Sequence, residues 1–100
     1  MNNTDAPIPF ISRLFVGAFN EFETELVFGE QGCISPREAH TFDEMIVVVQ
    51  GKIKLTLDDL ESPVFYEANS LIELPAGTMH QISLLAEENK LVIIHPDRSR

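Results

Sequence analysis

The chain of 100 residues carries sixteen acidic against seven basic side chains, a formal net charge of −9, and a single cysteine. That length makes one domain, residues 1–100, with a modest core. The charge speaks against nucleic acid and anionic membranes as partners, and one cysteine allows no internal disulfide, which fits a reducing cytoplasm.

Met1 to Pro9 is polar and holds two prolines, Pro7 and Pro9, so it reads as a mobile arm or edge segment. It lacks the basic start and apolar run of a signal peptide, and no segment of the chain has membrane-spanning apolar length. Phe10 to Val16 is β-prone, and Gly17 to Glu21 breaks it. Phe22 to Phe28 alternates: Phe22, Leu26 and Phe28 share one parity and Glu23 and Glu25 the other, which predicts a half-buried strand with the former inside. Gly29 to Gly32 reads as a turn, and Pro36 discourages helix just after it.

Glu38 to Gly51 places a histidine and three carboxylates around a run of five apolar residues, Met45 to Val49. Glu38, His40 and Glu44 share a strand parity with Ile46 and Val48. Met45, Val47 and Val49 make the second face apolar too, so the strand is covered on both sides, a partner subunit being one way to do it. Beyond Gln50-Gly51 the inward parity switches to Ile53, Leu55 and Leu57. A hairpin or a corner between two sheets would each produce that switch.

Polar residues 58–63 turn the chain, and Val64 to Glu67 is a short strand. Ala68 to Ser70 turns again, before a strand over Leu71 to Leu74. Pro75-Ala76-Gly77 suits a type I turn. His80, Ile82 and Leu84 share an inward face, Glu87 to Asn89 reads as a turn, and Leu91 to Ile94 as a last buried strand before His95-Pro96. Asp97 to Arg100 reads as frayed. The pattern predicts about eight short strands, no helix, and an all-β sandwich or barrel.

His40, Glu44 and His80 are then three potential ligands facing one core. Two imidazoles and a carboxylate with open positions form a facial set that suits Fe, Mn, Ni, Co or Zn. Buried singly, each is costly without a partner.

The spacing resembles the two motifs of the cupin superfamily. Glu38-Ala39-His40, three residues, Glu44, six residues and Gly51 is similar to the first motif. Leu74-Pro75-Ala76-Gly77-Thr78-Met79-His80 is similar to the second and is the more specific half. The resemblance implies a jelly-roll β-barrel, or double-stranded β-sandwich, usually a homodimer, with a metal inside and a sheet-crossing corner at Gly51. Carried over, His40, Glu44 and His80 are three of four metal ligands. Glu38 stands where the family has a histidine and takes the fourth place through oxygen, or turns to solvent. Glycines that lead both motifs are absent here, and Leu84 replaces the trailing asparagine.

Other residues carry plainer readings. His95 reads as a strand-end histidine rather than a proton shuttle or further ligand, and Cys33 as a small buried side chain. Phe42 and Phe65 line a pocket or pack, and Asp43 reads as a solvated turn residue. Two functions follow. One is a metal-dependent enzyme of dioxygenase or isomerase type acting on a small polar substrate, with Glu38 as the spare base. The other is a non-catalytic, ligand-sensing barrel.

Overall fold

A computed structural model describes residues 11–16, by backbone alone, together with 23–58 and 62–96. The expectations for Met1 to Pro9, Gly17 to Phe22 and Asp97 to Arg100 lie outside the described residues. Eight strands run in order: β1 (Ile11–Val16), β2 (Glu23–Glu30), β3 (Glu44–Gln50), β4 (Lys52–Leu57), β5 (Val64–Glu67), β6 (Ser70–Leu74), β7 (His80–Leu84) and β8 (Glu88–His95). They form two antiparallel sheets, one ordered β1-β2-β8-β3-β6 and the other β5-β4-β7. This is the all-β sandwich that the strand pattern predicts, in the jelly-roll form that the motif resemblance implies. None of the described residues forms a helix long and apolar enough to cross a membrane.

Strand alternation builds the core. Val27, Ile46, Val48, Ile72, Leu74, Leu91 and Ile93 of the first sheet meet Ile53, Leu55, Ile82 and Leu84 of the second. The ladders hold them in register: Ile46 pairs with Ile72 and Ile93, Val27 with Leu91, and Leu55 with Ile82. Such buried aliphatic side chains are worth about 1.5–3 kcal/mol each in transfer free energy. Cys33 is among them, as expected.

Gly51 is the corner between sheets, not a hairpin. β3 lies in one sheet and β4 in the other. A register shift between Val48 and Gln50 ends the β3–β8 ladder, and Gly51 then turns with φ +94°. That conformation is open to glycine and strained for other residues. Asn89 seals the corner from inside. Its Oδ1 accepts from Lys52 N at 3.0 Å and Ala86 N at 3.2 Å, and its Nδ2 donates to Ala86 O at 2.7 Å and Gly29 O at 3.3 Å.

Three local expectations need correction. On β2 the buried residue is Val27, with Glu23 and Glu25 on its parity, while Phe28 lies on the outer face beneath the Lys90 ammonium, 5.7 Å from the ring centre. The apolar parity is the wrong guide because Glu23, on the inward parity, meets His95 at the end of the strand. The turn after β6 closes with Thr78 N donating to Pro75 O at 3.1 Å, which places Gly77, at φ +85°, third in the turn. A positive φ there is the requirement of type II, not type I. β8 begins at Glu88, and the preceding turn is correspondingly shorter. Asn89 enters the strand because its side chain has work at the corner.

Candidate metal centre

The polar residues gather at the end of the sandwich opposite the Gly51 corner. β3 begins there with Glu44, β8 ends there with His95, and β7 begins there with His80. Glu23 pairs directly with His95, and the Ile46–Ile93 pairing brings Glu44 beside His95 from the other side. Glu23, His95 and Glu44 therefore form one row across three adjacent strands, all on the core face. Facing them, the segment before β3 runs along β7. Glu38 N donates to His80 O at 3.0 Å, and His80 N donates to Glu38 O at 2.9 Å. Gly77 N donates to His40 O at 2.7 Å, which ties the two motif segments together. Asp43, read as merely solvated, accepts from Ala76 N at 2.9 Å and pins the same turn.

Glu44 is the hub. Its Oε1 lies 3.1 Å from His80 Nε2, and its Oε2 lies 2.7 Å from His95 Nε2 and 3.5 Å from His40 Nε2. Glu38 Oε1 stands 3.6 Å from His40 Nε2. The donor atoms lie mutually within 4.8 Å in two overlapping groups, Glu38, His40 and His80, and His40, Glu44 and His95, so His40 belongs to both while Glu44 and His80 fall in different ones. The side chain of Glu38 is 48% exposed and that of His40 22%, against 6% for Glu44. The cluster opens on the Glu38 side.

Two residues have a larger part here than their sequence suggests, His95, expected only to end a strand, and Glu23, expected on the outer face. His95 donates from Nδ1 to Glu23 Oε1 at 2.9 Å and from Nε2 to Glu44 Oε2 at 2.7 Å. Nothing in their spacing singles out either partner. Only the β2–β8 register does, and the inverted parity of β2 hid it. Phe42 packs rather than lines: its ring stacks on His40 at 4.9 Å and meets His95 edge-on at 4.6 Å.

Electrostatics follow from this crowding. Burial pushes the Glu44 carboxyl up, but its contacts with His80 and His95 and the nearby His40 outweigh that and hold its pKa near about 2. Burial works against the charged forms of His80 and His95. Glu44, joined by Thr78 O at His80 and by Glu23 at His95, overcomes it and raises both above 6.5.

The donor set fits a cation. His80 Nδ1 lies 2.9 Å from Thr78 O, a carbonyl that only accepts, so Nδ1 carries the proton. In the neutral ring Nε2 then offers a lone pair, and it faces Glu44 Oε1. Among the described residues, that buried oxygen has no other polar neighbour to satisfy it than this nitrogen, 3.1 Å away. Two lone pairs aimed at each other call for a positive charge between them, which a proton on Nε2 supplies in the metal-free protein and a metal ion can supply in its place. Adjacent ligands around one ion, each at ~2.1 Å, stand roughly 3.0–3.4 Å apart. The 3.1 Å contact falls within that spacing, and the 3.5 Å contact lies just beyond it.

Residues 25–95 match the family model of the cupin domain. The chain belongs to the cupin family. Solved structures agree on the fold. An RmlC-like cupin with a double-stranded β-helix fold from Methanocaldococcus jannaschii superposes with a TM-score of 0.80 at 15% identity, covering 98% of this chain and 88% of that one. KdgF from Halomonas sp. gives 0.74 at 18%, covering 88% and 79%. The DMSP lyase DddQ from Ruegeria pomeroyi gives 0.73 at 13%, covering 86% of this chain and 46% of that one. Among curated proteins, none matches this sequence.

Proposed function

We propose that this chain is a metal-dependent cupin that binds one divalent transition-metal ion (Fe, Mn, Ni, Zn or Co) and takes a small polar substrate on it. The observation that carries this is Glu44 Oε1, a buried carboxylate oxygen set against the Nε2 of a tautomer-fixed His80. His40, Glu44 and His80 hold the ion, and Glu38 stands at the rim as a further oxygen ligand or a base. A bound ion supplies a Lewis acid and an oxygen- or substrate-binding position. The residues do the rest. Glu44 and His80 fix the inner wall, Phe42 holds the His40 ring against rotation, and Glu38 meets whatever enters.

Dioxygenase- or isomerase-type chemistry on a small polar molecule is the class we favour. One similar fold is a lyase, so a barrel of this kind supports catalysis. A cavity of about 270 Å³ opens beside the cluster, lined by Asp43, Glu44, Met45, Glu73, Leu74, Pro75 and Pro96. It meets the cluster only at Glu44, and no histidine lines it, so the substrate position lies on the Glu38–His40 side instead. The protein works as a homodimer in the cytoplasm. Leu71, Val47, Val92 and Leu26 form an apolar row across four strands of the outer face, with Leu71 56% exposed.

Elemental analysis by mass spectrometry on tag-free protein tests the reading. About one transition-metal ion per chain is the expected result. A protein that stays metal-free after incubation with Fe, Mn, Ni, Zn and Co salts in turn would leave a ligand-sensing barrel in its place.

A further inference from the structure

Within that metal reading, on which this inference rests, we propose that His95 is a metal ligand and Glu23 its positioning carboxylate, so that a third imidazole from the last strand, rather than Glu38, completes the site.

His95 lies outside both sequence motifs, yet it reaches the hub more closely than His40 does. Its Nε2 is 2.7 Å from Glu44 Oε2, the same oxygen that His40 Nε2 faces at 3.5 Å. The donor atoms of His40, Glu44 and His95 lie within 4.8 Å of one another. The rings of His80 and His95 flank His40 at near-equal centroid distances, 5.3 Å and 5.5 Å, and both at 55°. Three imidazoles thus approach the Glu44 carboxylate, His80 at Oε1 and His40 and His95 at Oε2.

A histidine that only fills a strand end needs one acceptor. His95 has a carboxylate on each nitrogen. Glu23 Oε1 takes the Nδ1 proton at 2.9 Å, which fixes the tautomer and leaves the Nε2 position to be shared between a proton and an ion. A carboxylate behind a ligating imidazole orients the ring and raises its basicity. This also accounts for the inverted face of β2: Glu23 turns inward to sit opposite His95 in the ladder. Glu38, half exposed at the rim, then remains free for substrate.

The test is Co²⁺ titration of the full-length chain, followed by X-ray absorption on the cobalt-loaded protein to count imidazoles. Three coordinated imidazoles are expected. His95→Gln should alter the visible cobalt spectrum and weaken binding at least ~10-fold, and Glu23→Gln should weaken it by ~10- to 100-fold with the imidazole count unchanged. Glu23→Asp should recover part of that loss, and Glu38→Ala should leave count and spectrum as they are. A count of two in the unaltered chain, or a His95→Gln protein with unchanged spectrum and affinity, overturns the assignment while the metal site stands. No cobalt binding by the unaltered chain overturns both. Should His95→Gln fail to fold, the count in the unaltered chain decides alone.

Discussion

Glu44 and His80 face each other across the two sheets at 3.1 Å, carboxylate oxygen to imidazole nitrogen. One belongs to β3 and the other to β7, so this contact spans the interior of the sandwich. It sets apart two histidines that sequence spacing treats alike.

His40→Ala and His80→Ala should both abolish metal binding, but at different structural cost. His80 is buried and holds both Thr78 O and Glu44, so its loss should destabilise the barrel by about 2–4 kcal/mol. His40 is partly exposed, and its loss should cost below about 1 kcal/mol. Urea melts of both variants with chelator check this. Equal midpoints would contradict the inner and outer placement of the two rings.

Gly51 and Gly77 offer a matched pair. Both have positive φ, but a Cβ at Gly51 would press into the Asn89 side chain and come within 2.6 Å of Glu88 O, while one at Gly77 meets nothing within 4 Å. Gly77→Ala should therefore cost about 1–2 kcal/mol from backbone strain alone. Gly51→Ala adds overpacking and should cost about 3 kcal/mol or more. Thermal melts of the two proteins give the comparison, and similar losses would mean that Asn89 yields freely.

The cluster also fixes a pH profile for the metal-free protein. His80 and His95 are raised above 6.5 when folded, so their contribution is fully present below pH 6.5 and is lost as pH climbs through the raised values. Glu44 is lowered from 4.5 to about 2, so its share is present above pH 4.5 and lost as pH falls towards 2. These are views of the same contacts from the two partners and do not add. With chelator, stability should peak between roughly pH 4.5 and 6.5 and fall on the alkaline side. With Zn²⁺ the alkaline fall should shrink or reverse, because deprotonated imidazoles bind the ion. Denaturant midpoints from pH 4 to 9 would show it, and a flat chelated profile above pH 6 would argue against the charged histidines.

Leu71→Glu should leave a monomer in light scattering at micromolar concentration where the unaltered chain gives the proposed homodimer. The substitution places a carboxylate at the exposed edge-strand end of the apolar row formed with Val47 and Val92. A chain that is monomeric before substitution would remove the proposal outright.

Much of this molecule is legible in its residues. Strands and turns are clear because glycine, proline and asparagine punctuate short alternating runs, and the inward parity of Glu44-Ile46-Val48 and His80-Ile82-Leu84 holds in the fold. Gly51 is ambiguous in sequence because a parity switch marks a hairpin and a corner equally. β2 misleads for a different reason. Alternation reports which side chains are apolar, not which face is inside, and Glu23 and Glu25 share the parity of buried Val27. His95 is illegible because a lone histidine before a proline carries no spacing signal. Its partners come from strands 72 and 51 positions earlier.

The corner at Gly51 and the cluster at Glu44 occupy opposite ends of β3. The sandwich is built like a bound book. One end is a spine, stitched by Asn89 to the corner, to β2 and to the turn before β8. The other is a clasp, where side chains from both covers converge on a single point. A spine carries the cost of assembly, while a clasp only sets how firmly the leaves stay shut. Changes at the rim, at Glu38 or His40, can then alter what the barrel holds without reopening the question of how it folds.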